Sequence, residues 1–291
     1  MWQWPETVER AVERYDLAKE IAEIDSNGYT IVPPEKTLFS PAKVARAKEV
    51  LIAEMTRRTG VRWDEKKIAL DAFEPGSHPP AYAYVTRMFE SDQVFLDFQT
   101  NPVLNTLHRH IIGDRFRMRT ANGMFKWANE DGWGPNHGLH TDTQGLEFAK
   151  GRYYIANVNW LLNDVEADDG PICFLPGSHT FDGLPGPDTI TDELRAQIRP
   201  IEAPAGSFVV FNSHVWHGSW PRKRPGLRLT THTMRGAPGL PLWDFSDTSE
   251  DVIARSREPG LFRMLCGTPP MRGDNPGFLP RIKARSATNA I

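Results

Sequence analysis

From residue 115 onward the chain is written in short alternating segments, and this limits its possible folds more than any other feature. In "RYYIANVNWLL" (152–162), Tyr154, Ala156, Val158, Trp160 and Leu162 share one wholly apolar face, while Ile155, Asn157, Asn159 and Leu161 share the other. A period of two marks a strand. The Asn-bearing face reads either as a hydrophilic cavity wall or as a surface open to solvent. "RFRMRTANGMFKW" (115–127), "GSFVVFN" (206–212) and "LRLTTHTMRG" (227–236) are further strands, with a turn expected at Asn122-Gly123 in the first. Proline- and glycine-bearing links separate them, as in an antiparallel sandwich or barrel.

The first part of the chain has a helical texture. Residues 6–25 read as one helix with Val8, Ala11, Val12, Tyr15, Ala18, Ala22 and Ile24 in a stripe. "NGYTIVPP" (27–34) gives a turn and a short strand stopped by prolines. "SPAKVARAKEVLIAEMTRRTG" (40–60) is a second helix, with Ser40 as N-cap, Pro41 in the first turn and Gly60 just past the end. A third helical region covers 93–113, with a break near Asn101-Pro102. The expected layout is a single domain over 1–291: a helical part (1–113), a β core (114–236) and an irregular or lid-forming tail (237–291). The fold class is mainly β with flanking helices.

Composition removes several functions. A formal charge of −3 argues against nucleic acid or a membrane surface as partner. The "RKR" at 222–224 is read as a solvated turn, and the acidic "DVEADDG" (164–170) as a hydrophilic turn between strands. No stretch is apolar enough to span a membrane, and "MWQWPETVERAVERY" has no secretory pattern, so a cytoplasmic protein is expected. With only 2 Cys there is no disulfide framework, and Cys173 in "PICFLPG" reads as a small buried apolar residue.

Chemistry enters with "NHGLHTDTQG" (136–145) and "NSHVWHGSW" (212–220). A His-x-Asp triplet is close to what chance supplies in a chain with 9 His and 19 Asp, and each histidine alone reads first as a hydrogen-bonded core or loop residue. On an extended strand, however, His140 and Asp142 project to the same side about 6.6 Å apart. With His217 from another strand they supply a 2-His-1-carboxylate triad, which leaves open positions on non-haem Fe(II). A strand returning past that position carries Arg228, Thr230 and His232 on one face. An inward guanidinium needs an anion, best a bidentate carboxylate, and a 2-oxo dicarboxylate would satisfy both iron and arginine. A surface arginine within "PRKRPGLR" is the alternative.

"HTD" (140–142), "EADDGPICFLPGSH" (166–179) and "WHGSWPRKRPGLR" (216–228), with "SNGYTIV" (26–32) and "GMFKW" (123–127), resemble in order the signature blocks of the phytanoyl-CoA hydroxylase-like dioxygenases. The resemblance implies a double-stranded β-helix (jelly-roll, cupin-like) core, Fe(II), and 2-oxoglutarate and O2 as co-substrates. Residue by residue, it implies His140, Asp142 and His217 as metal ligands, Arg228 gripping the 2-oxoglutarate tail and Ser219 assisting it. His214 and His179 become structural residues. Asn159 and His137 fall beside the co-substrate but depart from the family's usual residues, and "WPRKRP" replaces its usual turn.

The activity this implies is oxidation of a C–H bond, most simply hydroxylation, coupled to the conversion of 2-oxoglutarate to succinate and CO2. Related halogenases lack the carboxylate ligand, so Asp142 points away from halogenation. Desaturation, oxidative rearrangement, and a non-catalytic jelly-roll that only binds are the alternatives. With no basic patch for a CoA group, a free small-molecule substrate is expected. The loop "YAYVTRMFE" (82–90) and the tail with Trp243 and Phe245 are candidate lids.

Overall fold

In the computed structural model, the residues described are 2–60, 62–66, 82–127, 138–143, 151, 153–186, 188–240 and 248–267. Two antiparallel sheets face each other. The larger is built from β1 (Tyr29–Val32), β7 (Phe208–Asn212), β4 (Ile155–Leu161), β9 (Arg228–Gly236), β3 (Arg117–Lys126) and β2 (Tyr82–Val85), in that order. The smaller holds β6 (Arg199–Pro200), β5 (Ile172–Phe174) and β8 (His217–Ser219). A bridge from His140 to His217 extends it by one further segment. This is the jelly-roll expected, although β1 and β2 come from the helical first part.

Alternation in β4 decides which layer packs where. Ala156, Val158, Trp160 and Leu162 enter the main core against the helices, where Trp160 stacks on Phe98 with ring centroids 5.1 Å apart. Leu161 joins a second core between the sheets, with Phe174, Val209, Phe211 and Val215. Asn157 and Asn159 share that inward face, so the cavity-wall alternative holds and the solvent-facing one does not.

The helix α3 (Pro41–Thr59) follows its sequence signals: the Ser40 side chain accepts from the Lys43 N–H, and Gly60 closes the end at φ 71°. α4 (Gln93–Gln99) and α5 (Pro102–Ile112) are separated at Asn101-Pro102, as expected. The single helix expected over 6–25 is instead α1 (Val8–Arg14) and α2 (Ala18–Asn27), because Asp16 takes a left-handed conformation at φ 52°.

Three other expectations change. No turn forms at Asn122-Gly123. β3 runs straight through, Asn122 pairing with His232 and Gly123 with Thr231 and Val85, because ladders on both sides outweigh a local Asn-Gly preference. Part of the candidate lid at 82–90 is β2, an edge strand on β3, followed by a helical turn at 88–90. The tail is also partly regular: α6 (Glu250–Arg255) and α7 (Pro259–Cys266) pack on the core, with Phe262 against Phe89. Trp243 and Phe245 lie outside the described residues. Among the described residues, no helix is long and apolar enough to cross a membrane.

Candidate active site

At the open end between the sheets, His140, Asp142 and His217 converge, with one ligating atom from each lying within 4.8 Å of the others. Antiparallel bonding sets this up. The His140 N–H donates to the His217 carbonyl at 2.9 Å, the His217 N–H returns to the His140 carbonyl at 3.0 Å, and the Asp142 N–H donates to Ser213. Nε2 of His140 lies 3.5 Å from Asp142 Oδ1, and Nε2 of His217 lies 3.4 Å from Oδ2.

Both rings are oriented through their other nitrogen. Nδ1 of His140 is 2.7 Å from the Gly138 carbonyl and Nδ1 of His217 is 2.9 Å from the Val215 carbonyl. A carbonyl only accepts, so each Nδ1 carries the proton and each Nε2 lone pair faces the centre. Burial would raise the Asp142 carboxyl, but the charge and hydrogen bonds that the His217 and His140 rings offer it when they are protonated outweigh burial and hold Asp142 well below the usual carboxylate range. Asp142 Oδ2 also accepts a 2.5 Å bond from Asn157, whose amide donates to Ser213 Oγ at 3.0 Å as well.

A cavity of about 220 Å3 opens from this centre. Arg228, Lys126 and Ser219 line it together with Asn159, Thr230 and His232, and Phe211, Ile172, Phe125 and Met124 give it apolar walls. Lys126 and Arg228 are register partners on β3 and β9, which puts two basic side chains next to each other. Lys126 Nζ donates to Ser219 Oγ at 2.5 Å and to the Trp220 carbonyl. Arg228 donates to the Gly170 carbonyl, and its Nε is buried without a partner. Among the described residues neither cation has a carboxylate within 4.0 Å. Burial and the charge of Arg228 push Lys126 down to about 6; burial and the charge of Arg222 push Arg228 down to about 10.

A larger cavity, about 430 Å3, lies among Trp2, Trp4, Phe39 and α5. Its cations are matched within the protein: Lys43 and Arg257 both meet Asp97, and Arg109 meets Asp114 at 2.7 Å. Uncompensated charge therefore singles out the smaller cavity.

The residues singled out in the sequence sort clearly. His140, Asp142 and His217 come together, and Arg228, Ser219 and Asn159 share their cavity. His137 lies outside the described residues. His214 and His179 sit away from the triad, grouped around Tyr153 at ring-centroid distances of 5.1 and 5.9 Å. Burial pushes the Cys173 thiol up to about 12, as befits a packed residue. The turns expected to be hydrophilic instead clasp each other: Arg222 is buried and meets Asp169 at 2.8 Å. Lys126 and Asn157 were not identified as site residues, although the inward parity of Asn157 on β4 was a visible signal.

A jelly-roll with this triad and an uncompensated cationic cavity beside it has the architecture of the non-haem Fe(II)/2-oxoglutarate dioxygenases. Residues 24–229 match the family described as phytanoyl-CoA dioxygenase (PhyH), and the chain belongs to that family. A curated relative, "Dioxygenase af480" of Aspergillus fumigatus, is 26% identical over 149 residues. That match spans 50% of this chain and 46% of the relative, so the alignment reaches about half of either protein. Among solved structures, HygX from Streptomyces hygroscopicus, with nickel and 2-oxoglutarate bound, is similar at a TM-score of 0.54 and 17% identity, covering 81% of this chain and 93% of that one. The carbocyclase SnoK from nogalamycin biosynthesis is similar at 0.58 and 14%, covering 81% and 88%.

Proposed function

We propose that the protein oxidises a C–H bond of a free small-molecule metabolite, by hydroxylation, using Fe(II), 2-oxoglutarate and O2. His140, Asp142 and His217 hold the metal, while Arg228, Lys126 and Ser219 receive the distal carboxylate of 2-oxoglutarate. The observation that carries this reading is the pair of basic side chains, Lys126 and Arg228, in the same cavity as the triad, with no carboxylate of the described residues within 4.0 Å of either. The donor set fits iron: two neutral imidazoles with Nε2 inward and one carboxylate.

Iron bound there supplies oxygen activation coupled to oxidative decarboxylation of 2-oxoglutarate to succinate and CO2. The protein supplies orientation and shelter. Asn157 fixes Asp142, and the Gly138 and Val215 carbonyls fix the two rings. Arg228 and Lys126 give a dicarboxylate one direction of entry, and Phe211, Ile172 and Phe125 keep water from the reacting end. Asp142 would give the metal a carboxylate ligand, which supports hydroxylation over halogenation. HygX, which shares this fold, has been solved with hygromycin B bound, and the carbocyclase SnoK from nogalamycin biosynthesis keeps oxidative ring closure as a second reading. A product that gains one oxygen atom supports the first reading; one that only loses two hydrogens supports the second.

The direct test is anaerobic reconstitution with Fe(II) and 2-oxoglutarate. A weak visible charge-transfer band should appear, followed by succinate on admission of O2. The His140→Ala protein should give neither, and Arg228→Ala should need far more 2-oxoglutarate for the same band. A wild-type protein with no band and no oxygen-dependent succinate would sink the reading.

A further inference from the structure

Asp169 precedes Gly170, whose carbonyl accepts from Arg228, and the Asp169 charge acts directly on that guanidinium. It is buried, yet it makes no ion pair with Arg228. Both of its oxygens are already held. Oδ1 takes the Arg222 Nη1 at 2.8 Å, and Oδ2 takes the Glu166 N–H at 3.0 Å and Arg224 Nη1 at 3.4 Å. Arg222 is itself immobilised. Its Nε donates to the Gly226 carbonyl at 3.1 Å, Nη2 to the Pro225 carbonyl at 2.9 Å, and Nη1 also to the Asp169 carbonyl at 3.3 Å.

We propose that Arg222 is a positioning residue that holds Asp169 away from Arg228 and so keeps Arg228 open to the distal carboxylate of the co-substrate. The inference rests on the 2-oxoglutarate reading above. Its physical basis is the cost of an unpaired buried carboxylate, which takes the nearest available cation. Without Arg222 the cation of the cavity on which the Asp169 charge already acts is Arg228, and a tethered carboxylate competes at high effective concentration with one arriving from solution. Arg224 is a weaker holder, because it is half exposed and its contact with Asp169 is longer. The loop has little room to relax another way. Gly170 sits at φ 69°, and a Cβ there would lie 2.9 Å from the Arg222 amide nitrogen, Lys126 Cε and the Trp220 carbonyl. Arg222 also adds positive charge behind Arg228, which further favours an incoming anion.

A scaffold role and this role predict different patterns in equilibrium 2-oxoglutarate binding to the Ni(II)-substituted protein, followed by calorimetry. Arg222→Met should raise the Kd about tenfold or more, whereas Asp169→Asn, which removes the competing charge, should stay within about threefold of wild type. Adding Asp169→Asn to Arg222→Met should restore binding to within about threefold, a non-additive rescue that simple loosening of a loop does not give. If Arg222→Met alone cannot be obtained folded, Asp169→Asn and the double variant decide, since neither leaves a buried unpaired carboxylate. Loss of affinity in Asp169→Asn comparable to that in Arg222→Met, or a double variant that stays weak, overturns the proposal. Wild-type protein that does not bind 2-oxoglutarate at all would instead refute the function on which it rests.

Discussion

Asn157 donates to Asp142 and to Ser213 from a fully buried position on β4, and among the described residues His217 is the other side chain that reaches Asp142 Oδ2. Truncation to alanine leaves the carboxylate free to turn away from the two imidazoles. Metal affinity in Asn157→Ala is therefore expected to fall about 10- to 100-fold, the usual cost of losing a residue that orients a ligand. Competition with a chelating indicator measures it, and unchanged affinity would show that the backbone alone fixes Asp142. At this scale the sequence was informative where a residue type has few other uses. His140, Asp142, His217 and Arg228 were legible because three metal-ligand types and an inward arginine fall on segments that a jelly-roll brings together. Lys126 was not, because a lysine at a strand end is ordinarily solvated; only its register opposite Arg228 shows that it faces inward.

β3 shows what local patterns leave out at the scale of an element. Asn122-Gly123 has the composition of a hairpin turn, yet it lies mid-strand between β9 and β2. The glycine is there for space: a Cβ would come 2.1 Å from Leu51 Cδ1 of α3 and 3.1 Å from Met88 Cγ. Gly123→Ala is expected to cost about 1–3 kcal/mol by overpacking, read from the urea midpoint at unchanged slope. Adding Leu51→Val should recover part of that loss, and a Gly123→Ala protein as stable as its parent would contradict this account. The helix α3 was legible end to end because its caps are local, side chain to neighbouring backbone. The break at Asp16 and the placement of β1 and β2 were not. They are decided by packing between segments far apart in sequence, which no short window contains.

At the scale of the whole molecule, a chain of formal charge −3 gathers three basic side chains, Lys126, Arg222 and Arg228, close enough to act on one another's charge. Lys126 bears most of the consequence. Burial, with Arg228 and Arg222 beside it, pushes it down to about 6 against an ordinary value of 10.5, so near neutral pH the free protein holds it largely uncharged. The unfolded chain binds this proton throughout that interval and the folded chain does not. Folding stability from this group therefore rises with pH above about 6 and levels off near 10.5. An arriving carboxylate reverses the preference by stabilising the ammonium form, so 2-oxoglutarate binding takes up a proton. Its affinity should then weaken as pH rises from about 6, by up to about tenfold per unit, until the raised pKa of the complex is reached. Calorimetry in buffers of different ionisation enthalpy measures the uptake directly. Lys126→Met should bind 2-oxoglutarate more weakly at pH 6, lose the proton uptake and show a flatter dependence of melting temperature on pH. A wild-type affinity that is flat from pH 6.5 to 8.5, with no proton uptake, would mean that Lys126 is already charged in the free protein and that Arg228 alone meets the co-substrate.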